Sequence, residues 1–116
     1  MSELPADAAD SSGGRYAAAT DKEEFLTALA SLRQQINNLD AEVIQLLGRR
    51  MAVAEKIGQY KKENDITILQ TNRLNEILER SKRQGEQVGL TPDFIERYME
   101  AVHLESVLRQ EKVMKG

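Results

Sequence analysis

Cysteine is absent from this chain and histidine occurs once, at His103. Those two absences exclude a disulfide framework, a thiol nucleophile and a zinc site built from cysteine and histidine. Proline is nearly absent as well: with only Pro5 and Pro92, residues 6 to 91 carry no proline break. Aromatic residues make up 4% and tryptophan none, so a chain of 116 residues has room for one domain but little bulky core filler. No apolar run approaches the ~18 residues of a membrane span. Nothing near Met1 joins a basic stretch to an apolar one as a secretion signal does. A cytoplasmic protein is expected, without a membrane partner.

Charge of one sign is also scarce once the chain is divided. The net charge is −3, but residues 1–24 carry −4 and the remainder +1. A near-neutral domain offers no broad basic face, and its basic residues do not alternate with aromatics, so nucleic acid is not an expected partner. Any role for cations here is local.

The chain is rich in Leu, Ala, Glu, Gln, Lys and Arg, the good helix formers, and an all-α fold of three helices follows. Residues 1–22 are small and polar, with Ser11-Ser12-Gly13-Gly14, and read as a flexible leader or inter-domain linker ahead of a domain at 23–116. Thr20 or Asp21 is placed to cap a helix that continues to about Lys62. About 40 residues at ~1.5 Å each make a rod of roughly 60 Å, too long to bury its own stripe. A second copy of the chain is the expected cover, and a kink near Gly58 or residues 63–67 is the alternative. Ile66-Thr67-Ile68 suggests an ordered loop. A second helix is expected from Gln70 or Thr71, with Leu74, Ile77, Leu78 and Ser81 on one side, stopping before Gly89 or less clearly at Gly85. Thr91-Pro92-Asp93 marks the start of a third helix, a capping Thr followed by Pro at the first helical position, running to about Val113.

The long helix carries an unusual stripe. Arg33, Ile36, Asp40, Val43, Leu47, Arg50, Ala54, Ile57 and Lys61 alternate in spacings of three and four, a coiled-coil-like seam with three cations set into it. Cations on an apolar stripe are desolvated, which is unfavourable unless an anion meets them. Arg50 and Lys61 are eleven residues apart, about 20° from being in line and roughly 16 Å along the axis, so their side chains can converge on one small ligand. Arg33 is about 25 Å from Arg50 along the same helix and reaches that ligand only from a partner chain. The plainer alternative is that these side chains snorkel at the stripe edge or pair with Asp40 and Glu55.

On the third helix, Ile95, Met99, Val102, Ser106, Gln110 and Val113 form a stripe in which two neutral hydrogen-bonding groups replace apolar ones. Ser106 and Gln110 are structural on the plain reading, bonded to backbone or to each other. Arg73 is either a surface charge or a cation closing a pocket near the loop after Lys61. Arg49 is expected in solvent, and His103 with Glu105 is expected as a surface or rim pair rather than a catalytic dyad. No glycine-rich phosphate loop and no metal-ligand cluster is present in the sequence. Fixed cations and amides without nucleophile, metal or cofactor confine the chemistry to binding or to a rearrangement assisted by positioning and electrostatics.

Several segments together resemble the all-helical (AroQ-type) chorismate mutases: Leu32-Arg33-Gln34-Gln35-Ile36 with Leu39-Asp40, Leu47-Gly48-Arg49-Arg50-Met51, Ile57-Gly58-Gln59-Tyr60-Lys61, Arg73, Gly89-Leu90-Thr91-Pro92, and Glu105-Ser106-Val107-Leu108-Arg109-Gln110. The resemblance covers about Leu26 to Val113. It implies an intertwined three-helix homodimer whose two sites each take one arginine, here Arg33, from the partner. It further implies that Arg50 and the partner's Arg33 hold the two carboxylates of chorismate, that Lys61 and Gln110 donate to its ether oxygen, and that Ser106, Arg73 and Ile57 support the substrate. The reaction implied is the pericyclic rearrangement of chorismate to prephenate in aromatic amino acid biosynthesis, with no metal and no cofactor. Two positions depart from the family pattern: Leu74 stands where many members have an acid, and Gln70 where an Asp commonly opens the second helix. Recognition of the ring hydroxyl then falls to Gln70 or to a loop carbonyl from Ile68. Ile68-Leu69-Gln70 with the polar leader also resembles mutase domains fused behind DAHP synthase, which implies that enzyme, fused or associated, as a partner. Isochorismate-pyruvate lyases share the scaffold and the Leu47-Gly48-Arg49-Arg50-Met51 run; Ser106 and the eleven residues between Lys61 and Arg73 favour the mutase. A non-catalytic dimerisation module would require the stripe cations to pair with acids.

Overall fold

The computed structural model describes residues 18–65 and 72–116. Among the described residues all regular structure is helical, in three elements: α1, Ala18–Glu63; α2, Arg73–Gln87; and α3, Pro92–Lys115. The all-α architecture with one very long helix is therefore as the sequence predicts. The chain divides into two units, one running through Gln45 and the other spanning Leu46–Gly116.

Helix α1 starts at Ala18, ahead of the Thr20 and Asp21 caps, and continues through Gly58 as one element. At its end the backbone N–H of Asn64 (3.1 Å) and its side-chain Nδ2 (2.9 Å) both donate to the Tyr60 carbonyl. Asp65 follows at φ +53°, a left-handed conformation that Asp tolerates better than most residues. The loop Ile66-Thr67-Ile68, Gln70 and the expected start of α2 at Gln70 or Thr71 lie outside the described residues.

In the first unit, every residue from Ala30 to Gln45 is exposed, the apolar Leu32, Ile36, Leu39, Val43 and Ile44 included. The second unit has the core. Met51 and Ala54 of α1, Ile77 of α2, and Ile95, Val102 and Ser106 of α3 are buried there. Each fully covered aliphatic side chain contributes on the order of 1.5–3 kcal/mol.

Helices α2 and α3 are joined by a tight stop and start. The N–H of Leu90 bonds the Gly85 carbonyl at 2.9 Å and that of Gly89 bonds Glu86 at 3.2 Å, a Schellman pair that requires the left-handed Gly89 at φ +84°. Thr91 then caps α3, its Oγ1 accepting from the Phe94 N–H at 3.3 Å with Pro92 at the first position. Gly85 lets the two helices close, since a Cβ there would lie 2.8 Å from Ile95 Cγ1. A Lys82 to Glu96 ion pair at 2.8 Å bridges them at the surface. The expected stripes hold: Ile77 is buried with Leu74, Leu78 and Ser81 half-buried, and Ile95, Met99, Val102, Ser106, Gln110 and Val113 are all at least half-buried. No described helix is long and apolar enough to cross a membrane.

Candidate functional site

Within Leu46–Gly116, α1 and α3 bring the stripe cations of one helix to the neutral polar groups of the other. Arg50 Nη1 donates to Ser106 Oγ. About three turns further along α1, and one turn along α3, Lys61 Nζ donates to Gln110 Oε1 at 3.0 Å. Both pairs follow from the two stripes: positions 50 and 61 nearly align on α1, and positions 106 and 110 are a single turn apart on α3.

Ser106 is 5% exposed, so its hydroxyl must be satisfied internally. It donates back to the Val102 carbonyl at 3.0 Å, and its oxygen accepts from Arg50. The amide of Gln110 is likewise oriented. An ammonium can only donate, so Oε1 must face Lys61, which leaves Nε2 to donate elsewhere.

Burial is the larger influence lowering the Arg50 guanidinium below its usual value, with the nearby Arg73 charge adding to it and Tyr98 opposing it. Among the described residues neither Arg50 nor Lys61 forms an ion pair with a carboxylate. Glu55, a suggested partner for the stripe cations, instead takes Arg109 Nη1 at 2.9 Å, and Arg109 Nε also holds Glu105 at 2.9 Å. The cations at 50 and 61 are thus held by neutral oxygens, partly desolvated, with their charge uncompensated. That arrangement attracts a small anion and offers hydrogen-bond donors to negative charge forming upon it.

The other expected site residues are placed as follows. Arg73 opens α2, near enough to Arg50 to be felt there, and makes a loose exposed pair with Glu76 at 3.6 Å. Ile57 stays 44% exposed on α1 between the two cations. Arg33 is exposed and belongs to the first unit, and Gln70 lies outside the described residues. Arg49 is exposed, as expected.

Glu105, expected to pair with His103 at the surface or at a dimer rim, is engaged by Arg109. Residues two apart on a helix do not face each other. His103 is half-buried, and its imidazole is lowered by burial first and then by Arg50 and Arg73, so it borders the same cations. Its spacing of three before Ser106 is the sequence signal that puts it on that side. Gly58 is the second residue missed, and it stands against the Gln110 backbone.

Residues 32–111 match the family described as chorismate mutase type II. A bifunctional chorismate mutase/prephenate dehydratase of Buchnera aphidicola subsp. Schizaphis graminum is 33% identical over 86 residues, 74% of this chain and 22% of that protein. The T-protein of Haemophilus influenzae is 32% identical over 72 residues, 62% of this chain and 19% of its own length. The chain thus spans about a fifth of the length of these two relatives. An isochorismate pyruvate lyase of Pseudomonas aeruginosa is 32% identical over 73 residues, 63% of this chain and 71% of the lyase. The matched span takes in Arg33, Arg50, Lys61, Ser106 and Gln110, and on it the chain belongs to the chorismate mutase type II family.

Proposed function

We propose that this chain rearranges chorismate to prephenate. The observation that carries the reading is the pair of cations, Arg50 and Lys61, held by Ser106 and Gln110 rather than by acids. Chorismate brings two carboxylates and an ether oxygen. Arg50 takes one carboxylate, Lys61 and the free Nε2 of Gln110 donate to the ether oxygen, and Arg73, Ile57 and Gln70 surround the ring. As the ether C–O bond breaks and the new C–C bond forms within the same molecule, negative charge grows on that oxygen. Donors fixed in advance stabilise it there more than in the ground state. No proton is transferred and no covalent adduct is needed, which suits a site of cations and amides.

The second carboxylate is assigned to Arg33 of a second copy. Support comes from the bare apolar face on the same stretch of α1, where Leu32 is 41%, Ile36 52% and Leu39 59% exposed. A second chain would cover that face while delivering Arg33. Cytoplasmic location and association with DAHP synthase complete the proposal; co-purification of the two proteins tests the latter. Relatives named for chorismate mutase joined to prephenate dehydratase support pairing with another enzyme.

The extent of the match to the lyase supports a second reading on the same scaffold. Incubation with chorismate and, separately, with isochorismate decides between them. Prephenate from the first is expected. Salicylate and pyruvate from the second, without prephenate, would establish the lyase, and turnover of neither would leave a binding module.

A further inference from the structure

Gly58 is buried inside α1, where an added methyl has to go somewhere. A Cβ built on it would lie 2.9 Å from both the Cα and the carbonyl oxygen of Gln110, and 3.3 Å from the carbonyl carbon. These are backbone atoms of α3, so no rotamer change relieves the clash. Lys61, one turn further on, grips the same glutamine by its side chain at 3.0 Å.

The buried face of α1 shows what this does. Met51, Ala54 and Gly58 are successive members of that face, all buried. At the Ser106 level the space is filled by the Met51 thioether, 3.7 Å from the serine oxygen. At the Gln110 level the three atoms nearest to a Cβ added at Gly58 all belong to the Gln110 backbone. Glycine also weakens a helix relative to alanine, so its presence mid-helix calls for a reason of packing or function.

We infer that Gly58 is a positioning residue for the rearrangement: its missing side chain lets α3 come close enough for the Gln110 amide to reach the reacting oxygen beside Lys61. This rests on the chorismate reading above. Restoring ordinary contact at 3.4–4 Å from 2.9 Å moves the Gln110 backbone by about half an ångström or more. A shift of that size is enough to lengthen and misalign the Lys61 to Gln110 bond and to displace the amide from the reacting oxygen. The Arg50 and Ser106 pair, two turns away, is left in place.

The test is steady-state kinetics on chorismate for Gly58→Ala, Gln110→Ala and the double variant, with circular dichroism. Gly58→Ala should lower kcat by about 10- to 100-fold while KM changes by less than about threefold, the scale expected of a misplaced group. Because Gly58 acts through Gln110, the double variant should fall no further than Gln110→Ala alone. Gly48→Ala, in the same helix with nothing within 4 Å of the added methyl, should turn over like the wild type. Multiplied losses in the double variant would overturn the inference while leaving the mutase reading intact. So would an equal loss in Gly48→Ala, or a loss of helical signal in Gly58→Ala, which would make the glycine a folding requirement. Absence of wild-type turnover would overturn both.

Discussion

Lys61→Met isolates the electrostatic part of the proposed mechanism. Methionine keeps an unbranched stem of similar length, so the apolar cover that half-buried Lys61 gives α3 is largely retained while the ammonium is removed. Two consequences differ greatly in size. Removing one donor to a developing oxyanion costs about 10²–10³ in kcat, or roughly 2.7–4 kcal/mol. Gln110 also loses the donor that orients its amide at 3.0 Å. A freely flipping amide spends about half its time with Nε2 misdirected, a further factor of only ~2. The first effect dominates. Stability should hardly move, because a part-buried hydrogen bond of this kind is worth about 1 kcal/mol after solvent competition, or some 4 °C in Tm. The assay follows the disappearance of chorismate at several concentrations, beside a thermal melt. A fall of about 10² or more in kcat with a near-native melt is expected. A kcat within about fivefold of wild type would refute the placement of the ammonium at the ether oxygen, and a raised KM with unchanged kcat would move Lys61 to a carboxylate instead.

Ser106→Ala removes the acceptor that holds Arg50 but leaves the Val102 carbonyl its helical partner, so KM for chorismate should rise about tenfold with kcat within about threefold; an unchanged KM would sink the role. Mixing and refolding Arg33→Ala with Arg50→Ala chains should restore about a quarter of wild-type activity, since half the dimers are mixed and each has one intact site of two; no recovery would mean Arg33 does not act across an interface. His103 is lowered by burial and by Arg50 and Arg73, so on acidification the unfolded chain takes up the proton first. The stability this residue contributes is present above about pH 6.5 and lost as pH falls toward its folded value. His103→Gln should therefore lose less Tm than wild type between about pH 7 and 5.5, and a greater loss in the variant would contradict the assignment.

The boundaries legible in the sequence were those with a chemical marker. Thr91-Pro92 at the head of α3 and Gly89 behind α2 each satisfy a backbone need that few other residues meet, and both are found where expected. The start at Ala18 had no marker, because alanine favours helix by propensity alone and leaves no apolar period to read. Spacing on single helices also foretold that Arg50 and Lys61 face one way and Ser106 and Gln110 another stripe. Spacing could not give the partners, since which level of α1 meets which level of α3 depends on packing. Gly58 is the case in point: its meaning lies in the backbone opposite, not in its own neighbours.

Arg109 shows why the neutral partners matter. It sits on the same helix pair, next to Gln110, and is closed between Glu55 and Glu105 at 2.9 Å each. Those two hydrogen bonds raise the Arg109 guanidinium above its usual value, so it is a cation already spoken for. An incoming carboxylate would have to displace two carboxylates that already occupy the guanidinium. At Arg50 and Lys61 it has only a hydroxyl and an amide oxygen to compete with, neutral acceptors that a carboxylate outbids for a charged donor. Ser106 and Gln110 therefore fix the direction of the two cations without neutralising them. A carboxylate at either position would hold the cation more tightly and leave less of its field for the substrate. One pair of helices thus carries both arrangements: Arg109 ties α1 to α3 through acids, while Arg50 and Lys61 are held by neutral groups, as the proposed binding of chorismate requires.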